Sequence, residues 1–199
     1  MSTLLDIFGS VVIAGMLFML IVKLNLFSSQ AGYSSDSELK LIQNTKTLAE
    51  IIDYDFRKIG YKYDGVAITV ADSNHIKFYA DMQAPGNSGY GTMDIVEYTI
   101  GNTSEVAGTV NPNDKIIKRT ITTEGGTLLE AMDGPSLGLV RLKFSYLDST
   151  NLETNLPSKI RYIKTEMWVE GSDPIPDAFT NNSPYSKTYW EFTINPRNL

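Results

Sequence analysis

The sequence predicts an α+β protein in which a long N-terminal α-helix, membrane-spanning in its first half and amphipathic in its second, packs on a mainly antiparallel β-sheet. Three observations predict it. Residues 7–22, IFGSVVIAGMLFMLIV, form an uncharged apolar run. A three-to-four apolar spacing follows, and beyond residue 61 the apolar period falls to two. These shifts divide the chain into a membrane-length helix at 1–30, an amphipathic helix at 31–61, and a sheet with its loops at 62–199.

The first element is long enough to cross a bilayer. A span needs about 20 residues at 1.5 Å rise. Leu4 and Leu5 precede the run, Leu24, Leu26 and Phe27 follow it, and Lys23 can snorkel at one end. A cleaved secretory signal is the competing reading. Such a signal opens with Lys or Arg and closes on a small-x-small site. Here nothing basic precedes the run and Asp6 stands in front of it, so a retained anchor is expected. Lys23 and the terminal amine place positive charge at both ends, so the positive-inside rule assigns no orientation.

Asp6 has two readings. It is an interfacial acid at a helix N-terminus, favoured by the dipole and solvated, or it neutralises the terminal amine of a neighbouring subunit. A carboxylate at the edge of an apolar helix needs one or the other. Removal of Met1 would make Asp6 the fifth residue.

Residues 28–37, SSQAGYSSDS, are small and polar, and read either as a hinge or as a continuing helix. Ser35-Asp36-Ser37-Glu38 fits a capping box, which would restart a helix there. Apolar residues at 39, 42, 48, 49, 52, 56 and 59 predict a buried stripe, with Glu50, Asp53, Arg57 and Lys58 off it. Gly60 is expected to end the helix as a left-handed cap, with Tyr61 packing beyond it.

Strands are expected at 66–70, 75–80, 93–100, 115–123, 139–147, 159–169 and 187–195, the first two joined through Ala71-Asp72-Ser73-Asn74. In the fifth, Val140, Leu142, Phe144 and Tyr146 face one way; in the last, Trp190, Phe192 and Ile194 do. One-sided strands suit an antiparallel sheet with one face covered by the helix. The segments 81–92, 101–114, 124–138, 148–158 and 171–186 are expected loops.

Composition removes much chemistry. The 199 residues carry a net charge of −6, a pI near 4.8, no cysteine and one histidine, His75. A basic footprint for nucleic acid is missing, so no nucleic-acid partner is expected. Thiol nucleophiles, disulfides, thiolate metal sites and histidine dyads cannot be built within one chain. The glycine-rich 86–91 lacks a P-loop lysine and reads as a turn. No catalytic residue, cofactor or metal is expected, and the chain is not expected to be an enzyme. Two oxygen-rich loops, Asp148/Asn151/Glu153 and Asp173/Asp177/Asn181, are the places where calcium could be tested. Asn102 and Asn181 open formal glycosylation sequons.

The layout resembles type IV pilins and type II secretion pseudopilins, and within them J-type minor pseudopilins and PilW-like minor pilins. The resemblance rests on the anchor, on 48–61 (LAEIIDYDFRKIGY), on 71–81 (ADSNHIKFYAD) with 94–100 (DIVEYTI), and on 138–148 (GLVRLKFSYLD) with 160–167 (IRYIKTEM). It implies a structural filament subunit, either of a type IV pilus-like filament or of a pseudopilus. Such a subunit is single-pass in the bacterial inner membrane and then part of a periplasmic or extracellular filament. Its implied partners are copies of itself or other pilin-like subunits, the inner-membrane assembly platform, and membrane lipid before assembly.

Family precursors carry a basic leader ending in glycine, with glutamate at mature position five. No Lys or Arg precedes Gly9 here, and position five after Gly9 is Ala14. Either the leader is already absent from this sequence or the protein has none, and in the second case Asp6 stands in for the glutamate. The assembly residues implied are Asp6 with Leu4, Leu5, Ile7, Phe8, Val11, Val12, Met16, Phe18, Met19 and Leu20. The alternative is a membrane-anchored extracytoplasmic binding module that forms no filament and grips a ligand through 81–92 and 171–186.

Overall fold

The computed structural model describes residues 2–87, 89–106, 109–133, 138–175 and 185–199. One helix, α1, runs from Ser2 to Arg57, about 84 Å at 1.5 Å per residue. Eight strands follow: β1 (Ile68–Ala71), β2 (His75–Ala80), β3 (Asp94–Ile100), β4 (Ile117–Thr123), β5 (Leu128–Asp133), β6 (Leu139–Leu147), β7 (Tyr162–Pro174) and β8 (Tyr185–Ile194).

The expected single sheet is two antiparallel meanders, β1-β2-β3-β4-β5 and β6-β7-β8. They are stitched along β6, where the Phe144 N–H donates to Ser73 O and the Lys115 N–H to Leu139 O, both at 2.7 Å. Both sheets and the last third of α1 share one core. Phe56 stands at its centre. Its ring meets Phe78 and Tyr98 of the first sheet edge-on at 5.9 and 5.7 Å, and Phe144 of the second at 5.5 Å.

Several local expectations need correction. Of the two forms expected for residues 28–37, the chain takes the continuing helix and not the hinge, so no helix restarts at Ser35. Extending a helix already formed on both sides avoids a second nucleation cost, and no proline interrupts the stretch. Ser35 and Glu38 therefore form no capping box, being inside the helix, and Asp36 between them pairs with Lys40 at 2.9 Å, one turn on. The buried stripe is also rotated. Leu39 and Ile42 are exposed, whereas Leu41, Thr45 and Asp55 are buried with Leu48, Ala49, Ile52, Phe56 and Ile59.

At the helix end Gly60 does take positive φ (75°), and a Cβ there would sit 2.8 Å from Asn198 O. It is Tyr63 rather than Tyr61 that packs on the core, stacked on Tyr79 at 4.6 Å.

β5 falls in a segment expected to be loop. An irregularity between Leu139 and Arg141 turns Leu139 inward in place of Val140. On β8 the inward side rises out of the core, from buried Ile194 through Phe192 to Trp190, which is exposed.

Candidate subunit interface on the N-terminal helix

α1 is two surfaces on one rod. No described side chain before Leu41 is buried. Of the residues expected to assemble, Asp6 is exposed, and Ile7, Phe8, Val11, Val12, Met16, Phe18, Met19 and Leu20 are 55–69% exposed. Leu4 and Leu5 lie on the same helix, and their side chains fall outside the described residues. Ile13, Leu17, Ile21, Leu24, Leu26 and Phe27 are equally exposed. These six lie outside the expected set. The run is apolar around its whole circumference, so no single face is marked for a partner, and a helix of that kind must be covered by lipid or by protein. It is long and apolar enough to cross a membrane. Within it an added Cβ at Gly9 or Gly15 would meet nothing within 4 Å, and the Ser10 hydroxyl donates to Ile7 O at 2.8 Å. Small residues let another helix approach closely, and the serine carries no unpaid hydroxyl into an apolar contact.

The second surface fixes the rod to the sheets. Arg119 of β4 reaches across to Asp55 of α1. Its Nε donates to Asp55 Oδ2 and its Nη2 to Oδ1 at 3.1 Å, while Tyr98 Oη donates to Oδ2 at 2.5 Å. Arg119 Nη1 also meets Glu130 of β5 at 2.9 Å. Burial opposes the Arg119 charge, but the Asp55 hydrogen bonds and charge outweigh it and raise its pKa, so it stays protonated. Burial, reinforced by the Asp55 carboxylate, likewise holds Tyr98 neutral. Sequence reasoning missed this pair. The one available signal was an acid at position 55 inside the apolar spacing 48, 52, 56, 59.

The turn that follows the helix also clamps the loop after β2. Lys58 Nζ donates to Met82 O at 3.1 Å, and Lys62 Nζ meets Asp81 Oδ2 at 2.8 Å. Fully buried Asp81 further accepts from the backbone N–H of Gly91 and Gln83. Burial works against its charge, but the Lys62 and backbone donors prevail and depress its pKa. A depressed carboxylate adds stability above its unfolded pKa and loses it as pH falls through the folded one. Asp81→Asn is therefore expected to melt lower than the unaltered chain at pH 7 and to converge with it as pH falls through the depressed pKa of folded Asp81. Thermal melts across that range check it.

The other candidates carry local roles. His75 Nε2 lies 2.8 Å from Glu97, which also meets Lys77. The Asp148 carboxylate accepts from the Thr150 N–H and hydroxyl and from the Leu152 N–H, which occupies it within its own turn. Asp177 and Asn181, with the second sequon, lie outside the described residues, as does Ser88 of the glycine-rich turn. Among the described residues no group of three acidic or histidine side chains is placed to hold a metal.

No family model matches the sequence, and no curated protein does. A solved structure does match: a type IV-like pilin from Thermus thermophilus, at a TM-score of 0.50 and 12% identity, over 80% of this chain and 97% of that one. A long N-terminal helix laid on antiparallel sheets, with its apolar half left bare, gives this α+β chain a pilin-like fold.

Proposed function

We propose that the chain is a structural subunit of a pilin-like filament, assembling through the bare half of α1. The observation that carries this reading is that the described side chains before Leu41 remain unburied although most are apolar. A plain anchor accounts for residues up to Phe27, which lipid would cover. It does not account for Leu39 and Ile42, which are exposed beyond a bilayer's thickness. A neighbouring subunit would cover both.

In this reading the protein first lies in the inner membrane as a single-pass protein with the sheets outside the cytoplasm. It then moves into a bundle where helix packing replaces lipid. Asp6 offers its carboxylate to a neighbour's positive charge as the surroundings lose water. The resemblance to J-type pseudopilins and PilW-like pilins favours a minor position, and nothing in the residues forbids a major one, in which copies of this chain follow one another along the filament.

Electron microscopy of sheared material, with mass spectrometry of the same fraction, tests the reading. Thin filaments containing this chain support it. A chain that stays monomeric in detergent, and still binds a surface after residues 1–30 are deleted, would instead be an anchored binding module. Asp6→Ala is expected to reduce filament yield while membrane insertion and thermal melting stay unchanged; unaltered yield would remove Asp6 from assembly.

A further inference from the structure

We infer that Lys23 of one copy pairs with Asp6 of a neighbouring copy displaced along the helix axis by about 25 Å. This rests on the filament reading and names a specific contact within it. Asp6 and Lys23 are the only charged side chains in residues 2–35. Both are exposed, and neither forms an ion pair among the described residues. Their spacing of 17 residues nearly matches a bilayer's hydrocarbon core, about 30 Å. In the membrane, then, each reaches an opposite interface and is solvated. In a packed bundle that water is lost at both ends, and each charge needs a partner from another helix.

Geometry selects the partner. All copies insert with the same orientation, so their helices run parallel. At zero offset Asp6 would face Asp6 and Lys23 would face Lys23, both repulsive. A shift of 17 residues brings acid and lysine level. The same shift sets the apolar run 7–22 of one copy against residues 24–39 of the next. That stretch carries exposed Leu24, Leu26, Phe27, Tyr33 and Leu39, which a copy alone leaves bare.

Seventeen residues also turn the helix by a net angle of about 100°. One helix therefore meets different neighbours through its acid and through its lysine. Such a head-to-tail contact does not close on itself and propagates into an open helical array. Asp6 and Lys23 thus set the stagger of the filament as well as neutralising each other.

Charge exchange in the full-length chain tests this. Asp6→Lys and Lys23→Asp are each expected to lower filament yield by at least about tenfold, and the double variant to restore it. A second measurement guards against altered insertion of the reversed chains. The sequence has no cysteine, so Asp6→Cys and Lys23→Cys copies can be co-expressed with the unaltered chain and treated with a bifunctional thiol reagent. Packed helices lie about 8–10 Å apart, so a reagent of that reach spans the gap an aspartate–lysine pair leaves between its two Cβ atoms, which a direct disulfide does not. The expected result is a cross-linked dimer when both variants are present and none with either alone. A dimer from Lys23→Cys alone, or full yield from Lys23→Ala, would overturn the pairing while leaving the filament reading intact. An unaltered chain that forms no filaments would overturn both.

Discussion

Replacing Arg119 with methionine is expected to destabilise the protein by about 3–5 kcal/mol. The Arg119 side chain is 9% exposed and Asp55 only 1%. Removing the guanidinium leaves a buried carboxylate with Tyr98 as its remaining donor, and an uncompensated buried charge costs far more than the intact pair contributes. The whole network can be removed instead. A triple variant, Asp55→Leu with Tyr98→Phe and Arg119→Met, leaves no orphaned polar group and is expected to recover to within about 1 kcal/mol of the unaltered chain. Urea unfolding in detergent micelles measures both. A lower midpoint at unchanged slope marks lost stability, whereas a changed slope marks altered compactness. A single variant that unfolds like the unaltered chain would show that Asp55 is solvated in solution.

Truncating Phe56 to alanine has an expected cost of the same size, about 3–5 kcal/mol, for a different reason. The ring is fully buried and touches an aromatic side chain from each sheet. Its removal opens a void that neither sheet can fill alone, because each is held by its own ladder. A fall in melting temperature of about 10–15 °C follows. Phe56→Leu, which keeps most of the volume, is expected to lose less than half of that. Equal losses for the two variants would mean that aromatic geometry, rather than filled volume, stabilises the junction.

Much of this architecture was legible in the sequence, and the failures have identifiable physical causes. The two halves of α1, the 139–147 strand and the 75–80 strand follow directly from apolar period, but the unbroken join through the polar residues 28–37 does not. The helix stripe came out rotated because its buried face includes Thr45 and Asp55, which an apolar count excludes. Thr45 hides its hydroxyl on Leu41 O at 2.8 Å, and Asp55 needs Arg119, 64 positions away. No local pattern announces such a partner. β5 was missed because it is an edge strand whose exposed Leu128 and Leu129 break the alternation that marks a half-buried strand. The division into two sheets depends on which strands pair, β5 ending one ladder and β6 opening the next, and periodicity does not encode pairing. The candidate interface was legible in extent, since an uncharged run is visible in any sequence. Its faces were not, because lipid and protein neighbours ask for the same residues.

The one-sided grip on α1 has a mechanical consequence. The bare half and the held half are a single unbroken helix, so tension on residues 2–40 enters the sheets along the helix axis. The contacts from Leu41 to Ile59 then behave as a lap joint, sheared together rather than peeled apart in turn. The firmest fastenings, Asp55 and Phe56, sit at the end farthest from the pull, and the stiffness of the intervening turns brings them under load with the rest. A chain built this way resists stretching until the joint slips as a whole.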